Sequence, residues 1–134
     1  AALIANVNKG SSLAAKNFII NGAMNVAQRG TSATGKTSTG YYACDRWKLD
    51  ISSAGTWTQI QSTDVPTGQG FSNSTKLDCT TADGSLSASD RVFITQRIED
   101  QNCVSSAKGT SDAKSLTASF WVKSNKTGTY IVEL

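Results

Sequence analysis

The sequence predicts an all-β fold, an antiparallel β-sandwich of jelly-roll type. Three observations carry that prediction. Apolar residues alternate with polar ones in several short runs, as in "DRWKLDIS" at 45–52 and "RVFITQRI" at 91–98. The runs are separated by Gly/Ser/Thr/Asp stretches such as "TGQGFSNS" and "TTADGSLSAS". Only one segment, "EDQNCVSSAKG" at 99–109, has a composition that could form a helical turn, with Lys108 and Gly109 as its stop.

Residues 1–16 are small and polar without a period and read as an arm or connector that needs something to lie against. Residues 17–134 read as the sandwich domain. Its first run, "NFIIN" at 17–21, is apolar and closes on the turn dipeptide of Asn21 and Gly22. The stretch "RGTSATGKTSTG" reads as a loop. In 45–52, Trp47, Leu49 and Ile51 share one face, and Arg46, Lys48 and Asp50 share the other. "TWTQIQ" at 56–61 is β-prone, but Trp57 and Ile60 have opposite parity, so either a bulge intervenes or one of them faces outward. "STKLDC" aligns Thr75, Leu77 and Cys79; 91–98 aligns Val92, Ile94, Gln96 and Ile98. "SLTASFWVK" at 115–123 aligns Leu116, Ala118, Phe120 and Val122, and "TYIVEL" at 129–134 aligns Tyr130, Val132 and Leu134. About six or seven candidate strands fall short of the roughly eight that a jelly roll needs. The sandwich is therefore expected to be the N-terminal portion of a longer one, completed beyond Leu134 or by another chain.

Composition narrows the chemistry. The chain has 134 residues, a formal net charge of +3 and no histidine. Absence of histidine excludes Ser-His and Cys-His nucleophiles and His-ligated zinc. Basic residues are scattered singly, unlike the clustered Lys/Arg of a nucleic-acid surface, and no apolar run approaches the roughly 18 residues that cross a bilayer. No nucleic acid and no membrane insertion are expected. Cys44, Cys79 and Cys103 are odd in number and far apart, which favours small buried hydrophobes while leaving one bridge and a spare thiol open.

"GTSATGKT" at 30–37 fits the phosphate-binding pattern G-x-x-x-x-G-K-[ST] letter for letter. That motif functions only where a buried strand leads through it into a helix. "STGYYACDRW" follows, with Gly40, Tyr41 and Tyr42 disfavouring a helix and no apolar stripe, so the match reads as compositional. Glu99 and Asp100 are adjacent, and in extended backbone they point apart, whereas a glycosidase needs carboxylates converging across a cleft. They read as solvated charges at a strand end, Lys36 and Lys48 as loop and exposed-face lysines, and Asp45 and Arg46 as partners of neighbouring charges. No enzyme activity, catalytic residue, cofactor or metal is expected.

Trp47 reads as core. Phe93 and Trp121 have the opposite parity to the aliphatic members of their strands and lie among Thr95, Arg97, Thr117, Ser119 and Lys123. Aromatic faces among hydrogen-bonding side chains suit a sugar, whose C–H groups stack on the ring, and equally suit a subunit contact. Phe93, Arg97, Trp121 and Lys123 are therefore the candidate glycan-binding or subunit-contact surface.

"NFIINGAMNVAQRG", "YYACDRWKL", "ITQRIED", "SLTASFWVKS" and "GTYIVEL" occur in that order over 17–134. Together they resemble the jelly-roll domains of bacteriophage tail fibres and related virion proteins, which are similar to bacterial carbohydrate-binding modules. The resemblance implies a non-enzymatic virion component of a tail fibre or similar appendage, attaching to the particle, recognising host-surface glycan, or both. It implies other virion proteins as partners, a homotrimer, and a sandwich continuing past Leu134. A carbohydrate-binding module of a larger bacterial enzyme and a capsid decoration protein are the alternatives. Where carbohydrate-binding relatives often carry an acidic residue that helps hold calcium, this chain has Ala23 and Met24.

Overall fold

The computed structural model describes residues 2–4 and 17–134. The chain is all-β, with every described strand pairing antiparallel. The strands are β1 (Ala2–Ile4), β2 (Ser32–Lys36), β3 (Gly40–Tyr41), β4 (Lys48–Ser52), β5 (Thr56–Ser62), β6 (Ser74–Thr81), β7 (Arg91–Thr95) and β8 (Ser119–Trp121). They form two three-stranded sheets, β2-β5-β6 and β3-β4-β7, and a β1-β8 ladder. A single helical turn, α1 (Asp100–Cys103), runs into a 3-10 turn at Val104–Ser106.

The alternation in β4 and β7 determines which face of their sheet is covered. Leu49 pairs with Ile94 and Ile51 with Val92 on the inner side, while Lys48, Asp50, Thr95 and Phe93 share the outer side. Leu49 and Ile51 are buried with Met24, Ala43, Cys44 and Trp47. Ile19 and Ile94 pack on the cluster of Met24, Cys44 and Trp47. A buried amide joins the second sheet to this core: Gln59 accepts a hydrogen bond from the backbone of Ala43 at 3.2 Å and donates to Thr75 Oγ1 at 3.5 Å. Full burial of Gln59 is tolerated because both ends of its amide have partners.

Several sequence expectations are corrected. Residues 17–21 form no strand, because Asn21 adopts a left-handed backbone (φ 54°) and the chain turns at once, with Met24 N donating to Asn21 O. Residues 32–36, expected as loop, form edge strand β2 along β5. They have no apolar alternation; β5 supplies the ladder, and a register shift between Ala33 and Lys36 accommodates Gly35 at φ 66°. Residues 32–36 of the phosphate-binding pattern, Gly35 and Lys36 among them, thus lie on a strand, and the chain continues through Thr37, Ser38 and Thr39 into β3 without a helix. In β5 the irregularity falls between Thr56 and Trp57. Thr58 and Gln59 are the buried positions, and Trp57 and Ile60 are both half-buried. Gly55, at φ 80° in the passage from β4 to β5, lies where a Cβ would collide with the carbonyl of Thr81. The helical turn ends on Ala107, left-handed at φ 50°, ahead of the expected stop at Gly109.

The C-terminal part departs most from expectation. Of 115–123 only Ser119–Trp121 is strand, and 129–134 is not strand at all. Every residue from 108 to 134 is exposed. Alternation marks a face able to be covered; with β8 laddered only to β1, nothing in the described chain covers it. Three residues of the N-terminal arm, Ala2–Ile4, lie along β8, with Ala2 opposite Trp121 and Ile4 opposite Ser119. The remainder of the arm lies outside the described residues. All three cysteines are free: Cys44 buried, Cys103 half-buried and Cys79 exposed.

Candidate functional site

Four sequence-distant segments converge on one corner of the β3-β4-β7 sheet. They are Asn21 with its following turn, Gln28 with Arg29, Asp45 with Arg46, and Arg97 with Glu99. Together with Ile20, Val26 and Tyr41 they line an open cleft of about 470 Å³. These are the segments "NG", "QRG", "DRW" and "QRIE" on which the family resemblance rests.

Asn21 builds the back of the corner. Its side-chain amide donates to Val26 O and to Asp45 O, both at 2.9 Å, and its Oδ1 accepts from Val26 N at 3.0 Å. Its own carbonyl accepts from Trp47 Nε1 at 3.0 Å, which satisfies the indole of a buried tryptophan. Asp45 N donates to Val26 O at 2.9 Å, so one asparagine holds the 21–26 turn against the start of the 45–52 segment. Gln96 closes the other side. Its amide donates to Ile20 O at 2.7 Å and accepts from Ile20 N at 2.8 Å, as a neighbouring strand would.

Charge is distributed unevenly over the walls. Asp45 Oδ1 accepts from Gln28 N at 3.2 Å and from Arg29 Nη1 at 3.5 Å. Arg46, in a left-handed backbone at φ 72°, donates to the Arg97 carbonyl at 3.4 Å and pairs with Glu99. The Arg46 guanidinium holds the Glu99 carboxyl below the usual carboxylate range, assisted by a backbone hydrogen bond. Among the described residues, the Arg97 guanidinium makes no ion pair and the Tyr41 hydroxyl no hydrogen bond, and Tyr41 is 43 % exposed. Asn21, Met24 and Arg46 are all non-glycine residues at positive φ around this one corner. Such backbone strain persists only where surroundings over-determine it, as this hydrogen-bond network does.

The four expected surface residues fall on two different sheets. Phe93, 47 % exposed, sits opposite Asp50 on the outer side of β7 with the Arg91 guanidinium 5.8 Å from its ring centre. Arg97 follows β7 with the same parity and reaches the cleft. Trp121, 45 % exposed, lies on the β1-β8 ladder, and the ammonium of Lys123 is held by Asp64 at 2.7 and 2.9 Å. Lys48 pairs with Asp50 at 2.9 Å, and Lys36 lies 4.7 Å from the ring centre of Tyr42. Tyr41, Gln28, Arg29 and Asp45 were not legible as site residues, since only sheet pairing sets Tyr41 opposite Lys48 and Lys48 opposite Thr95, two residues before Arg97. Among the described residues no group of three or more Cys, Asp or Glu is placed to hold a metal, and no helix is long and apolar enough to cross a membrane.

No protein family, curated protein or solved structure matches the chain.

Proposed function

We propose that the chain is a non-enzymatic structural module of a phage virion, part of a tail fibre or similar appendage. In this reading the two three-stranded sheets are part of a jelly-roll sandwich. The C-terminal segment 108–134 docks on other copies of the chain, most simply as a homotrimer, and the cleft beside Tyr41 and Arg97 meets host-surface glycan. The observation that carries the reading is the complete exposure of residues 108–134, which include Phe120, Trp121, Val122, Tyr130, Ile131 and Val132. Apolar exposure on that scale, on segments with strand-like alternation, is typical of surfaces covered by another polypeptide.

The carboxylates support a non-catalytic role. A general acid needs a raised pKa, whereas Glu99, Asp50 and Asp64 are each pushed down, chiefly by hydrogen bonds from Arg46, Lys48 and Lys123 respectively. The cleft favours one other reading, a carbohydrate-binding module of a larger bacterial enzyme, which would act as a monomer.

Sedimentation equilibrium separates them. The chain should associate with increasing concentration to a trimer, and Trp121→Asp with Val132→Asp should leave a folded monomer, because both side chains are exposed. A monomer at all concentrations overturns the fibre reading.

A further inference from the structure

We propose that the cleft between Tyr41 and Arg97 binds an acidic sugar, a uronic or similar monocarboxylated residue of a surface glycan. The proposal rests on the glycan-recognition half of the proposed function and specifies its ligand.

The charges in the wall set the ligand's charge. Arg29, Arg46 and Arg97 stand against Asp45 and Glu99, so three guanidinium groups face two carboxylates and one positive charge remains. Arg29 is taken by Asp45 and Arg46 by Glu99, which leaves the guanidinium of Arg97 as the one without an ion pair among the described residues. A single such guanidinium matches a single carboxylate, which it can bind through two parallel N–H···O bonds. A doubly charged phosphate would meet the same guanidinium with two carboxylates beside it, a poorer match.

The remaining lining matches the rest of a sugar. Tyr41 offers a half-exposed ring for C–H stacking and a hydroxyl without a partner among the described residues, beside the apolar side chains of Ile20 and Val26. Among the described residues Asp45 uses only Oδ1, toward Gln28 and Arg29, which leaves Oδ2 for a hydroxyl donor. The groups that hold the corner together, Asn21, Gln96 and Trp47, point their hydrogen bonds into the protein. The side chains of Arg97 and Tyr41 take no part in these bonds, so both can be replaced without dismantling the corner.

The test is titration of the chain, followed by calorimetry and by amide chemical shifts, with a glucuronic-acid disaccharide, its neutral glucose counterpart, and acetate. The acidic disaccharide should bind at least about tenfold tighter than the neutral one, with shifts at Tyr41, Asp45 and Arg97, and rising salt should weaken it. Arg97→Gln should remove the preference for the acidic sugar, Arg97→Lys should restore part of it, and Tyr41→Ala should weaken both sugars, with thermal melts unchanged. Equal binding of acidic and neutral sugars overturns the acidic-sugar proposal while leaving glycan recognition standing. Binding of neither sugar overturns the proposal together with glycan recognition, and equal shifts with acetate overturn it by showing that a carboxylate alone is recognised. None of these outcomes bears on the trimer measured by sedimentation.

Discussion

Gln96 pairs with the backbone of Ile20 through its side chain, donating to the carbonyl at 2.7 Å and accepting from the N–H at 2.8 Å across 76 positions of sequence. An amide side chain reproduces the donor and acceptor of a peptide unit, so it can finish a ladder where the backbone has already turned away. Strand β7 ends at Thr95, and Gln96 extends its pairing by one position toward the 17–21 segment.

Gln96→Glu tests this pairing. The carboxylate keeps an acceptor for Ile20 N but faces Ile20 O with another oxygen, so the variant should lose about 1–2 kcal/mol at neutral pH in chemical denaturation. Part of that loss should return on acidification, when the protonated carboxyl can donate again.

Asn21→Ala should be more damaging. It removes three hydrogen bonds worth about 1 kcal/mol each and places a Cβ-bearing residue without a compensating side chain at φ 54°. Asn21→Gly restores the backbone freedom alone. Denaturation midpoints should rank wild type above Asn21→Gly and Asn21→Gly above Asn21→Ala.

The pH profile should fall off on both sides. Glu99, Asp50 and Asp64 have lowered pKa values in the folded chain, chiefly through hydrogen bonds from Arg46, Lys48 and Lys123. The unfolded chain therefore takes up protons first as pH falls. Their contribution is present above the ordinary carboxylate range and is lost as pH drops through it toward the lower folded values. Burial pushes the Cys44 thiol up, opposed by a hydrogen bond with Thr75 and reinforced by the charge of Asp45. Its contribution is present below the ordinary thiol value and is lost as pH rises through the folded one. Thermal melts across pH should show both limbs, and Arg46→Gln should flatten the acid limb.

Cysteine labelling of the native chain should be ordered. Exposed Cys79 should react with an alkylating reagent first, and buried Cys44 only when the chain unfolds. Peptide mapping after a timed pulse reads this directly, and early modification of Cys44 would contradict the packing around Met24 and Trp47.

The strands with a half-buried face were legible because alternation records burial. Leu49 and Ile51 in β4 and Val92 and Ile94 in β7 lie on the inner side, as their parity indicates. Alternation carries no information about partners, so the same pattern at 129–134 produced an exposed segment with no strand. β2 was hidden for the converse reason. Its residues have no apolar period, and its extended form comes from the ladder that β5 offers. The apolar run Phe18, Ile19 and Ile20 looked like a strand, but the left-handed Asn21 ends it. Arg97 was visible as a candidate, whereas the cleft around it was not. The segments at 20–29, 41–46 and 97–99 become neighbours through sheet pairing and through the side chains of Asn21 and Gln96, neither of which has a local signature.

Hydrogen–deuterium exchange of residues 108–134 as a function of protein concentration tests the proposed role most directly. In the isolated chain residues 115–118 and 122–134 are exposed and lie outside the β8 ladder, so at low concentration their amides should exchange close to the unprotected rate. As copies associate, protection should rise across 115–134 in step with the trimer. Exchange that is already slow in the monomer, or that stays fast at concentrations where the chain has associated, would contradict the assignment of this surface to assembly.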